Sequence, residues 1–105
     1  MKTKLTDITD VVRSKNAGPY ELTFDIMFKT TEWYHRVVDA KVINEALVCK
    51  LYRIAPADVL GIVEFAPAKA IKVTIRRPIS SGALGETDVY GAQQHAPLLD
   101  LEFDL

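Results

Sequence analysis

Cysteine is nearly absent from this 105-residue chain. Cys49 stands alone, so no internal disulfide can form, as expected of a protein from a reducing compartment. Apolar runs are only a few residues long, and none could cross a bilayer as a helix. The opening MKTKLTDITD lacks the apolar stretch of a signal peptide, so the expected location is the cytoplasm. An excess of charge of either sign is missing too. The formal net charge of −1 gives no bulk attraction to nucleic acid or anionic membrane, and no basic patch is interleaved with aromatics. No His, Cys, Asp and Glu spacing matches a metal site, no GK[ST] closes a glycine-rich turn, and no G-x-S-x-G surrounds a serine. Neither a metal nor a cofactor is expected. Internal repeats and low-complexity runs are also lacking.

What is present describes one globular domain over residues 1–105, with a hydrophobic fraction of 49%, enough for a modest core. Leu5, Ile8, Val11 and Val12 recur at helical spacing. Asp7 and Asp10 come early, Arg13 and Lys15 late, and Gly18-Pro19 follows as a stop, so the pattern predicts a helix over about 5–14. YELTFDIMF alternates cleanly, with Tyr20, Leu22, Phe24, Ile26 and Phe28 on one side and Glu21, Thr23, Asp25 and Met27 on the other. This is a half-buried strand. Thr30 or Thr31 caps a helix carrying Trp33, Val37 and Ala40, and Asn44 caps another carrying Leu47, Val48, Leu51 and Tyr52. Strands are expected at Leu60–Phe65, at Ile71–Ile75 and in the closing PLLDLEFDL, where Leu99, Leu101, Phe103 and Leu105 would point inward. Residues 78–97 show no periodicity.

The order α-β-α-α-β-β-loop-β predicts a two-layer α+β fold: a four-stranded, mostly antiparallel sheet with two to three helices on one face. Opposite charges favour strand pairing, so the basic strand with Lys72 and Arg76 should lie beside an acidic one. Its expected partner is the C-terminal strand with Asp100, Glu102 and Asp104. The expected core joins Leu22, Phe24, Ile26, Val73, Leu99 and Leu101 to Trp33, Val37, Leu47 and Leu51.

Three stretches carry candidate chemistry. DVYGAQQHAP gathers Tyr90, Gln93, Gln94 and His95, with Asp88 placed to orient the histidine. His95 is the one candidate catalytic residue, as a general acid–base; hydrogen bonds pinning the loop are the structural alternative. RRPISSGALGETD offers Arg76, Arg77, Ser80 and Ser81 before Gly82 and Gly85, a set suited to a carboxylate or phosphate, or else a solvated loop. RSKNAGP offers Arg13, Lys15 and Asn16. At a helix C-terminus these would be ordinary capping residues, and they join an anion site only if that segment folds toward the Gly91 loop. Cys49 fits a small core residue, His35 a structural position and the Trp33/Tyr34 pair core packing.

RSKNAGPYELTFDI, AKAIKVTIRRP and TDVYGAQQHAPLLDLE together resemble the family called domain of unknown function 4387, over nearly the whole chain. Members of that family stand alone, or are fused to or encoded beside AtuA-like proteins of acyclic terpene utilisation. The resemblance implies an accessory domain or small subunit of a two-component enzyme in the catabolism of branched or terpenoid acids or their CoA thioesters. An independent small enzyme acting on a carboxylate or CoA-linked acid is the second reading. A homo-oligomeric binding module assembled through the open sheet face is the third. The expected partners are an AtuA-like protein, a further copy of the chain, or a small anionic ligand.

Overall fold

The computed structural model describes residues 2–18, 20–76 and 96–104. Along the chain run β1 (Lys2–Lys4), α1 (Leu5–Ile8), β2 (Thr9–Gly18), β3 (Glu21–Phe28), α2 (Thr31–Ala40), α3 (Glu45–Tyr52), β4 (Val59–Phe65), β5 (Ala70–Arg76) and β6 (Glu102–Asp104). Short 3₁₀ turns occupy Pro56–Asp58, Ala66–Ala68 and Ala96–Asp100. The class is α+β, with an antiparallel four-stranded sheet ordered β2-β3-β5-β4. A separate antiparallel ribbon joins β1 to β6.

The predicted first helix is corrected. Its apolar spacing holds for one turn, where Leu5 and Ile8 are both buried, and the Thr9 hydroxyl then closes the turn on the Leu5 carbonyl at 2.9 Å. From Thr9 the chain is extended. Val11 and Val12, which completed the helical pattern, sit on opposite sides of β2, where β-branched side chains are well accommodated. Alternation in β2 is hard to read because a polar residue, Ser14, occupies an inward position and is buried opposite Phe24. Gly18, a helix stop by its sequence context, instead ends β2 opposite Glu21, where the β2–β3 hairpin turns.

Among the described residues the sheet therefore has four strands, but a different four. β5 does not pair with the C-terminal strand; it lies between β3 and β4, while β6 pairs with β1. The basic strand still finds an acidic neighbour in β3, with Lys72 opposite Asp25 and Arg76 opposite Glu21.

The helices start where their caps predict. The Thr30 hydroxyl accepts from Trp33 N–H at 3.1 Å, and the Asn44 side chain accepts from Leu47 N–H at 2.9 Å. Their ends carry no glycine signal, because Lys41 and Arg53 themselves adopt the left-handed conformation that closes each helix. Both helices pack on the same face of β3: Tyr52 lies 4.6 Å from the Phe24 ring and Tyr34 lies 6.2 Å from Phe28. Leu22, Phe24, Ile26, Val37 and Val73 are buried as expected, while Trp33, Leu47 and Leu51 are half-buried at the margin.

Three inward assignments are corrected. Tyr20 is 61% exposed, because it belongs to the hairpin turn and not to the strand. Leu99 is 41% exposed and Leu101 half-buried, whereas Leu98 is buried. The 3₁₀ turn over Ala96–Asp100 replaces strand alternation with a period near three; Phe103 keeps its predicted inward place, and Leu105 lies outside the described residues. Cys49 is half-buried.

Two outcomes follow from this core. Phe24 is 1% exposed, and Phe24→Ala should lower the unfolding free energy by about 3–5 kcal/mol in urea titrations, near the whole stability of a small domain. Burial also pushes the Tyr52 phenol well above its usual value, and burial with the nearby Glu64 carboxylate raises Tyr34. The unfolded chain would then release these protons first, so stability should be intact below about pH 10 and fall as pH rises beyond it. In thermal melts between pH 8 and 11, Tyr52→Phe should make that fall shallower.

Candidate functional site

On the sheet face away from the helices, the register sets the side chains in rows. Arg13, Asp25, Lys72 and Val63 form one row across β2, β3, β5 and β4; Lys15, Thr23, Thr74 and Gly61 form the next. Glu21 and Arg76 stand opposite each other at the end of the sheet where β2 turns into β3. Four cations thus surround two carboxylates. Arg13, Lys15, Glu21, Lys72 and Arg76 are exposed, so this face is open to solvent.

Asp25 is nevertheless buried on this face, only 4% exposed, as is its neighbour Thr23 at 6%. Its position in the central row explains the burial, since long basic side chains from the flanking strands can lie over it with their charged ends in water. The Arg13 Nε donates to the Asp25 Oδ2 at 3.0 Å, and the Lys15 Nζ lies 4.0 Å from the same oxygen. Lys72 faces Asp25 in register, but among the described residues the ion pairs of Asp25 are with Arg13 and Lys15. Beside it the Thr23 and Thr74 hydroxyl oxygens are 3.4 Å apart. The arrangement is a cationic surface with a sealed carboxylate at its centre. Guanidinium and ammonium groups in general pair with carboxylates and phosphates through charge-assisted hydrogen bonds.

Of the predicted site residues, Arg13, Lys15 and Arg76 come together on this face. Extended backbone at Arg13 and Lys15 also removes the objection that a helix C-terminus repels anions. Asn16 pairs through its backbone with Leu22 on β3. Arg77, Ser80, Ser81, Asp88, Tyr90, Gln93, Gln94 and His95 lie outside the described residues. Sequence reading overlooked Asp25, Thr23, Lys72 and Thr74 as site residues. The signal was the polar half of two alternating strands, β3 and β5, which becomes a site only once β2 supplies its two cations.

A second concavity lies on the other side of the sheet, between the α2–α3 corner and strands β4 and β5. It has a volume of about 530 Å³, with an apolar floor including Val37, Ile43, Ile62 and Ile71 and a rim including Asp39, Lys41, Glu45 and Glu64. With carboxylates prevailing, the rim repels anions, and among the described residues Arg13, Lys15 and Arg76 do not line it. Among the described residues no group of three or more His, Cys, Asp and Glu side chains could hold a metal ion. No helix among them is long and apolar enough to cross a membrane.

The Arg13–Asp25 pair gives a direct test of the face. Arg13 is half-exposed, so its pairing is partly screened, but its loss strips a buried carboxylate of its closest partner. Arg13→Ala should cost about 1 kcal/mol in chemical denaturation. Adding Asp25→Asn should recover part of that loss, because the charge that needed the partner is gone.

The family model described as Domain of unknown function (DUF4387) matches residues 5–102. No curated protein and no solved structure is significantly similar to the chain.

Proposed function

The chain belongs to the DUF4387 family, and we propose that it is an accessory domain or small subunit of a two-component metabolic enzyme, docking on a larger partner through its open cationic face. The observation that supports this reading is the contrast between the two sides of the sheet. One side is covered by α2 and α3, while the other presents Arg13, Lys15, Lys72 and Arg76 to solvent around the buried Asp25. The partner is an AtuA-like protein, and the substrates are branched or terpenoid acids or their CoA thioesters. Such substrates are anions, and a face rich in cations can steer them toward, or hold them at, an active site completed by two chains.

A smaller role for the same face is the binding of a carboxylate or CoA-linked ligand by this chain alone, with His95 as acid–base and Arg76 or Arg77 on the anion. Its support is the place of Arg76 at the end of β5, on the cationic face and at the start of the segment that contains His95.

Binding measured by calorimetry against the purified AtuA-like protein tests the proposal. Lys72→Glu and Arg76→Glu, both at exposed positions, should keep the melting temperature within a few degrees and weaken the complex at least tenfold, with a matching loss of joint activity. Undiminished binding by both charge-reversal variants would remove the face from the function. His95→Ala should leave complex formation intact under the accessory reading, and should abolish turnover by the chain alone under the smaller one.

A further inference from the structure

The two edges of the four-stranded sheet differ. β2 carries Asp10, Arg13 and Lys15 and has two register shifts against β3, devices that keep an edge from pairing with foreign strands. β4 has no such protection beyond the register shift at its start. Its sequence VLGIVEF contains one charge, Glu64, and no proline, and among the described residues it pairs only with β5. Leu60, Val63 and Phe65 on this strand are 41%, 56% and 51% exposed, a concentration of exposed large apolar side chains in seven residues. From Gly61 to Phe65 the pairing with β5 is regular, and Val63 is the midpoint of that stretch.

We propose that β4 pairs antiparallel with β4 of a second copy of this chain, about a two-fold axis through Val63, to give one continuous eight-stranded sheet. Charge and shape select this register. Gly61, Val63 and Phe65 all face the outer side of the sheet, where their cross-strand partners are Thr74, Lys72 and Ala70. A two-fold at Val63 sets Val63 against its symmetry mate and Phe65 against Gly61 of the other copy, twice. At Gly61 a side chain would meet nothing within 4 Å, so each glycine offers an empty place in which an aromatic ring can lie. An aromatic across from a glycine at a sheet edge is a favourable cross-strand pair. A two-fold at Glu64 would oppose two carboxylates, and one at Ile62 would leave the glycine facing Val63 and remove Phe65 from the hole. In the chosen register Glu64 faces Ile62 of the second copy. The contact is isologous, so the assembly closes at two copies. A five-residue ladder with three apolar side chains per copy falls below the roughly 1,200 Å² of a standard interface, so the dimer is reversible and concentration-dependent.

Sedimentation of the full chain across a hundredfold concentration range should show a monomer–dimer equilibrium. Val63→Lys places two ammonium groups face to face, and Gly61→Val fills the hole. Each should weaken dimerisation at least tenfold while leaving the melting temperature of the dilute monomer unchanged within a few degrees. In a Cys49→Ser background, Val63→Cys should form an intermolecular disulfide under mild oxidation at least tenfold faster than Leu60→Cys, since only position 63 meets its own symmetry mate. A chain that stays monomeric at the highest concentration overturns the proposal. So does a dimer that survives both Val63→Lys and Gly61→Val, or equal cross-linking from positions 60 and 63.

Discussion

Asp25 sits in the middle of β3, 4% exposed, on the sheet face that no described helix covers. A carboxylate so placed must be partnered, because a buried charge without a partner is costly to maintain. Arg13 at 3.0 Å and Lys15 at 4.0 Å meet that need from β2. Much of the sheet follows from this requirement. It fixes the register of β2, since Arg13 must stand opposite Asp25, and it agrees with β5 bringing Lys72 to the other side of the same residue. A slip of one residue in β3 would turn Asp25 toward Phe24's side and Phe24 toward water, so charge and hydrophobicity enforce the same pairing.

The apolar half of β3 has the complementary task. Leu22, Phe24, Ile26 and Phe28 are buried beneath both helices, with Tyr52 and Tyr34 packed on the two phenylalanines. Because α2 and α3 cover the same side, the other side keeps its basic residues in water. The domain thus separates its roles by face: stability comes from one side of β3, and the cationic surface lies on the other. The two edges divide in a similar way, β2 charged and irregular, β4 apolar and regular between Gly61 and Phe65.

Residues with strong local signals were legible without the structure. ELTFDIMF, the caps at Thr30 and Asn44, and the alternation of Ile71, Val73 and Ile75 each carry their cause within a few neighbouring positions. Helix ends at Lys41 and Arg53 were less so, because the left-handed residue there is not glycine. The candidate site was legible only in pieces. Arg13, Lys15 and Arg76 stood out as cations, but Asp25, Thr23 and Thr74 looked like the ordinary solvent side of a strand. The loop residues from Arg77 to His95 drew attention for their polar chemistry and lie outside the described residues.

Sequence by itself determined the α+β class, the central strand with its two unlike faces, the apolar face of α2 and α3, and the match of a basic strand to an acidic one. Tertiary structure alone decided which acidic strand that was, and that TDVVRSKNAG continues as β2 after one helical turn. The physical reason is the range of the forces involved. Periodicity and capping act over three or four residues and are written locally. The choice between helix and strand for Thr9–Gly18 depends on a hydrogen-bonding ladder with β3 and on a buried carboxylate 12 positions away, and neither exists until the chain has folded.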